Sequence, residues 1–185
     1  MKQANADHFI INNEWVTPEI RAVQAQAGPE DVEAAQGLLF RTAQWLQSKG
    51  SKQWHQLLTG DDRHHIDEAV LCGDVFLFKK EERLAAIVIL QQHASEWDRT
   101  LWGEEGHDTS VYLHRLAIDR EFGGTGLGSA ILHWALTGIK FQGKDRIRLD
   151  CIADNPGLNR LYSGAGFALK GQHESGFNIY EKMVR

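Results

Sequence analysis

At 185 residues, 42% hydrophobic and 24% charged, the chain has the composition of an ordinary globular protein and the length for one sizeable core. A formal net charge of −5 argues against a general nucleic-acid binder, which carries a basic balance. No segment approaches the roughly 18 apolar residues of a membrane span, and the two cysteines, Cys72 and Cys151, stand far apart without a CxxC, as in a reduced cytoplasmic protein.

Residues 1–18 read as an N-terminal extension, polar apart from Phe9, Ile10 and Ile11. With Asp7, Glu14 and no continuous apolar run, it does not look like a signal peptide. Residues 19–26 alternate through Ile20, Ala22 and Ala25, as a first strand does. Pro29, Glu30 and Asp31 suit the first turn of a helix. Val32, Ala35, Leu39, Thr42 and Leu46 follow at helical spacing, and Gly50 stops it. A loop with Trp54 leads to a shorter helix opened by Asp61 and Asp62, with Ile66, Ala69 and Val70 inward. Residues 75–78 and 84–90 read as a hairpin, the second strand so continuously apolar that both its faces should be buried. Residues 92–109 form a long loop carrying Trp97 and Trp102, and loops of that length tend to be functional or disordered.

Ser110–Ile118 reads as a strand, 123–129 as a glycine loop and the residues from Leu127 as a helix. Its stripe is Leu127, Ile131, Ala135 and Ile139, and Gly143 ends it. Arg146–Ile152 is a further strand. Asn155 caps the next helix with Pro156 at its first position, and Gly166 with Phe167 suggests a left-handed cap and its apolar contact. Two strands close the chain. The order β-α-α-β-β-β-α-β-α-β-β predicts an α/β mixed sheet with helices on both faces.

The glycine loop carries the functional signal. Its glycines sit where a helix begins, where backbone N–H groups lack partners and the dipole is positive, so a phosphate suits them. A Walker loop requires Lys where Ser129 stands. A dinucleotide fingerprint requires GxGxxG, whereas Gly124, Gly126 and Gly128 are one residue short.

A third reading uses more of the chain. Residues 111–167 resemble the GCN5-related N-acetyltransferase (GNAT) superfamily, whose pyrophosphate loop [Q/R]-x-x-G-x-[G/A] lies between a strand and a helix. Gly126 and Gly128 match it, and Gly123 stands where the family commonly has Arg or Gln. A second signature, an Asn opening a later helix, then Tyr, then Gly-Phe, matches Asn155, Tyr162, Gly166 and Phe167. The resemblance implies a single N-acetyltransferase domain over 19–185, with mostly antiparallel N-terminal strands and a parallel pair around the cofactor site.

It further implies acetyl-CoA as co-substrate and direct acetyl transfer to a primary amine. The cradle would be Gly123, Gly124, Thr125, Gly126, Leu127, Gly128 and Ser129. Leu116, Ala117 and Ile118 would pair with the pantetheine, and Leu116 N–H would polarise the thioester carbonyl. Asn155 would bond the pantetheine amides. Tyr162, seven residues on and so on the same helix face, would act as general acid. Glu96 and His114 are candidate bases, with His93 and Asp150 behind them. Acids in 92–109 with Trp54, Trp97 and Trp102 suit a small, cationic amine. No metal site is expected, His64 and His65 reading as a helix-surface cluster, and no nucleic-acid or membrane partner. A homodimer is left open, as is the alternative of a non-catalytic acyl-CoA-binding or sensing module.

Overall fold

The computed structural model describes residues 9–62 and 64–184; residues 1–8 of the expected extension lie outside them. In order, the elements are β1 (Phe9–Ile11), β2 (Arg21–Gln24), α1 (Pro29–Ser48), α2 (Ile66–Leu71), β3 (Val75–Lys80), β4 (Arg83–Gln91) and α3 (Glu96–Trp102). Then come β5 (Ser110–Ile118), α4 (Leu127–Thr137), β6 (Ile139–Phe141), β7 (Arg146–Ile152), α5 (Pro156–Gly164), β8 (Ala168–Gln172) and β9 (Phe177–Met183), with 3₁₀ turns at His55–Thr59 and Arg120–Phe122. No described helix is long and apolar enough to cross a membrane.

Seven strands form one mixed sheet in the order β2-β3-β4-β5-β7-β9-β8. Every neighbouring pair is antiparallel except β5 and β7, which run parallel. This is the mixed sheet expected from the sequence. Alternation on β3 and β4 separates two cores. Phe76, Phe78, Val88 and Leu90 face α4, with Ile131, Leu132 and Trp134. Val75, Leu77, Ile87 and Ile89 face α1 and α2, with Ala35, Leu38 and Val70. Residues 85–90 are 0–1% exposed, so each large side chain there contributes about 1.5–3 kcal/mol of burial.

Two features open the sheet at its centre. The parallel pairing of β5 with β7 covers only Ser110, Val111 and Tyr112 against Arg146, Ile147 and Arg148. One turn further along β5 the register against β4 slips: Ile89 pairs with His114, whereas Ile87 pairs with Ala117. Arg115 and Leu116 therefore oppose the single residue Val88, a bulge, and Arg115 takes φ +54°. A one-residue slip exchanges the faces of a strand. Val111 and Leu113 accordingly belong to the α4 core, while Ala117 joins the α1 core.

Two sequence expectations are corrected. The helix that begins at Leu127 ends at Thr137, not at Gly143, with Gly138 as its C-cap. Ile139, read as the end of the helical stripe, starts β6 and pairs with Ile11 of β1. Buried Ile139, exposed Lys140 and buried Phe141 alternate with period two, but their ladder partner is more than a hundred residues away. The second correction concerns 92–109, which contains α3. Ser95 and Asp98 cap it reciprocally, each side chain bonded to the other residue's backbone N–H, a capping box with Asp at the third position.

Candidate active site

The glycine loop follows β5 through the turn Arg120–Phe122, where the Asp119 carboxylate accepts from Glu121 N–H. Gly124 (φ +71°) and Gly126 (φ +80°) take left-handed conformations, and a Cβ on either would point into open space. Thr125 Oγ1 donates to Phe122 O at 2.6 Å. Gly126 is the N-cap of α4 and Leu127 is buried beneath it, so the loop is anchored while its outer surface stays bare. Ser129 is exposed in the first helical turn. An anion placed there meets N–H groups that have no intrahelical acceptor. Gly123 differs: its φ is −64°, so backbone geometry does not require glycine.

Two cavities meet where β5 and β7 part. One, of about 430 Å³, is lined by Trp45, Leu116, Ala117, Ile118, Asn155, Leu161 and Tyr162 among others. The other, of about 390 Å³, is lined by Trp54, His64, Trp97, His114, Asp150 and Phe177 among others. They share Gln53, Trp54, Leu116, Leu158 and Tyr162. The residues 116–118, Asn155 and Tyr162 named from sequence thus line one cavity, and Trp54, Trp97 and His114 the other. Glu96 and Trp102 line neither. Glu96 is exposed at the start of α3, as is His93 in the loop before it. Trp102 packs under the Arg148 guanidinium, 4.3 Å from its ring centre.

Helix α5 holds the junction. Asn155 Oδ1 accepts from Leu158 N–H at 3.1 Å. At the other end Gly166 N–H donates to Ser163 O and Phe167 N–H to Tyr162 O, with Gly166 at φ +89°, a Schellman cap with its apolar contact. Asn159 ties the helix to the sheet. Its amide donates to Ile152 and Asn155 carbonyls, and its Oδ1 accepts from Asn178 and from Tyr180 Oη at 2.6 Å. Tyr162 is 7% exposed. Burial, followed by the negative charge of Cys151 and Asp150, raises its phenol pKa. The Cys151 thiol, donating to Asn159 Oδ1 at 3.5 Å, is pushed up to about 12 by burial and then Asp150.

The second cavity is built on a buried histidine. His114 Nε2 lies 2.9 Å from Asp98 Oδ1, and His114 Nδ1 lies 3.8 Å from Asp150 Oδ1. Asp98 Oδ2 accepts from Ser95 N–H and Ser95 Oγ, each at 2.9 Å, and Trp97 Nε1 donates to Asp150 Oδ2 at 3.2 Å. The His64 ring stacks on His114 at 4.1 Å. Burial alone would lower the His114 pKa, but hydrogen bonding and charge from Asp98, then Asp150, outweigh it and the net shift is upward. For Asp98 burial works against ionisation, and the bond and charge of His114 with the Ser95 bonds overcome it, so its pKa is lowered. Donor atoms of Asp98, His114 and Asp150 fall within 4.8 Å of one another. The two carboxylates sit against different ring nitrogens, Asp98 against Nε2 and Asp150 against Nδ1.

Sequence reasoning passed over Asp98, counted among the loop acids, and His64, placed on a helix surface. The signal for Asp98 was present in Ser95-x-x-Asp98, the start of a capped helix. Arg115 was also missed. At the bulge it pairs with Asp62 at 3.3 Å and stacks on Trp54 at 5.2 Å, which ties the segment before α2 to the cavity wall.

Comparison with known proteins agrees with this geometry. The model of the acetyltransferase (GNAT) family matches residues 39–167. The uncharacterized N-acetyltransferase YesJ of Bacillus subtilis is 49% identical over 95% of this chain and 97% of its own length. A GNAT-family acetyltransferase structure from Listeria monocytogenes superposes with a TM-score of 0.73 at 32% identity, covering 89% of this chain and 95% of that one. The Salmonella typhimurium acetyltransferase that modifies the N-terminal serine of ribosomal protein L7/L12 shares the fold, with a TM-score of 0.61 at 18% identity over 93% and 99% of the two chains. The family match across residues 39–167 and the identity along nearly the whole chain mean that this protein belongs to the GNAT family and is an acetyltransferase.

Proposed function

We propose that the protein transfers an acetyl group from acetyl-CoA directly to the primary amine of a small, cationic substrate. The observation that carries this reading is the meeting of two cavities at Tyr162, one lined by residues 116–118 and Arg120, which precede the glycine loop in sequence, and one lined by His114 and Asp150.

The bare N–H groups of residues 124–129 fit a pyrophosphate. Residues 116–118 with Asn155 would hold the pantetheine arm, and Leu116, freed from regular pairing by the bulge, would point its N–H at the thioester oxygen. Acetyl-CoA supplies the thioester carbon that the amine nitrogen attacks, and its thiolate leaves as the new C–N bond forms. In the second cavity Asp150, held by Trp97, attracts the ammonium form of the substrate. With Nε2 facing Asp98 Oδ1 at 2.9 Å, His114 would turn Nδ1 toward the substrate and take the amine's proton, directly or through one water. Tyr162, protonated at neutral pH and lining both cavities, would give its proton to the departing sulfur. A Cys151 thiol held near 12 is a poor nucleophile, which favours direct transfer over an acetyl-cysteine route.

Thiol release from acetyl-CoA, measured against polyamines, aminoglycosides, amino acids and peptides, tests the reading. Release that depends on a small cationic amine is expected, together with a melting temperature raised by acetyl-CoA and not by NAD. Turnover on peptides alone would overturn the substrate class. Acetyl-CoA binding without turnover on any amine would instead favour a binding or sensing role.

A further inference from the structure

Position 123 is where the glycine loop departs from the family pattern, and the structure shows what fills the space. A Cβ built on Gly123 would stand 3.5 Å from Arg120 Nη1 and 3.2 Å from Arg120 O. The guanidinium of Arg120, three residues earlier, therefore lies in van der Waals contact with the place where a side chain from position 123 would begin.

That guanidinium is held in place. Arg120 Nη2 donates to Ile118 O at 2.7 Å, and the group stacks on Trp45 with Cζ 4.1 Å from the ring centre. Arg120 and Trp45 line the same cavity as residues 116–118 and Asn155. The acids on either side of Arg120 in sequence are paired elsewhere: Asp119 with Arg41 at 3.6 Å, and Glu121 with Arg83. Among the described residues no carboxylate forms an ion pair with Arg120. One of its five N–H donors is used, so a fixed, uncompensated positive charge stands beside exposed backbone N–H groups.

We propose that Arg120 is the phosphate-binding cation of this loop, supplying from the preceding turn what a side chain at position 123 would otherwise supply. The inference rests on the acetyl-CoA reading above. Its chemistry is general: a planar guanidinium with several free donors pairs with phosphate oxygens, and prior positioning reduces the ordering cost on binding. It also accounts for a glycine at position 123 whose backbone does not need one: a longer side chain would compete with Arg120 for the same space.

Calorimetric titration with coenzyme A and with acetyl-pantetheine, which lacks the phosphates, tests this. Arg120→Ala should weaken coenzyme A binding about tenfold or more while leaving acetyl-pantetheine within about twofold, given the strength of a charge-assisted bond. Arg120→Lys should lose less. The double variant Arg120→Ala/Gly123→Arg, which places a guanidinium on position 123 after vacating the space, should recover most of the loss. Coenzyme A binding unchanged in Arg120→Ala would overturn the proposal. So would equal losses for both ligands, since that is what a packing role against Trp45 produces. Failure of the double variant to recover any affinity would overturn the claim that Arg120 substitutes for position 123. Wild-type protein that does not bind coenzyme A at all would instead overturn the acetyl-CoA reading, and this proposal with it.

Discussion

The two cavities were built by different rules. On the proposed cofactor side most of the atoms are backbone, the N–H groups around Gly124 and Gly126 and the strand edge at 116–118, with the Asn155 and Arg120 side chains beside them. Their positions follow from local sequence, because glycines, caps and helix starts are local events. On the proposed acceptor side the atoms are those of side chains gathered from distant segments. Asp98 comes from α3, His114 from β5, Asp150 from β7 and His64 from the approach to α2. Generic binding can be written in a contiguous motif, whereas the shape and charge offered to one acceptor are assembled by the tertiary fold.

If that division holds, substitutions on the two sides should separate in kinetics. The largest effect is expected at His114. Gln can still donate to Asp98, so His114→Gln should keep the fold but lower kcat/KM by ~10²–10⁴-fold, the range for loss of a positioned base. Acetyl-CoA affinity, measured separately, should not move. Full activity in this variant would remove the catalytic reading of the acceptor cavity. Tyr162→Phe should come next, lowering kcat by ~10²-fold with cofactor affinity nearly unchanged. Because Tyr162 lines both cavities, a change mainly in cofactor affinity would assign it to the cofactor side instead.

Much of the fold was legible for physical reasons that particular elements illustrate. Pro29 with two acids announced α1, the unbroken apolar run of β4 announced a central strand, and Asn155-Pro156 with Gly166-Phe167 marked both ends of α5. The boundary of α4 was not legible. Apolar Ile139 satisfies a helical stripe as well as a strand, and only its pairing with Ile11 decides between them. The bulge at Arg115 was equally hidden, since nothing in the alternation of 110–118 reports a left-handed arginine. In the candidate site, the sequence named Tyr162, Asn155 and the glycines from spacing and resemblance. His114 was one candidate base among several, and the Asp98 carboxylate against its ring is a contact that no sequence spacing reports. Glu96, two residues before Asp98, points away because successive helical residues face different directions.

A smaller effect separates the role of Asp98 from that of His114. Asp98→Asn removes the larger of the two charges that hold the His114 pKa up, leaving only Asp150 against burial, so the pKa falls. The proposed base acts in its neutral form, so activity should rise with pH through that pKa, and the variant's rising limb should move to lower pH. The loss in limiting kcat should be about tenfold, the lower end of the range for losing a group that orients a histidine, since the imidazole remains. The sign for stability is also fixed. A histidine whose folded pKa is raised contributes stability that is complete below its unfolded pKa and is lost as pH rises through the folded value. Asp98→Asn should therefore flatten the stability profile across that window. An unmoved rate profile would show that Asp98 serves only the cap of α3.

The smallest effect tests whether the cofactor side is a matter of backbone. Gly126→Ala places a Cβ on a residue at φ +80°, at a cost of about 1–2 kcal/mol for the left-handed conformation. Gly123→Ala meets no such penalty at φ −64°, and its one tight contact is Arg120 O at 3.2 Å. Chemical denaturation should therefore show Gly126→Ala clearly destabilised and Gly123→Ala within about 0.5 kcal/mol of the parent, the usual range for a surface change. The same pair separates stability from binding. Alanine at 126 disturbs the N-cap that aims the N–H groups, so coenzyme A affinity should fall with stability. Alanine at 123 can affect binding only by displacing the Arg120 guanidinium. Equal destabilisation by the two substitutions would mean that the loop is held by close packing and not by its dihedral angles, and the contrast between a backbone-built and a side-chain-built cavity would lose its basis.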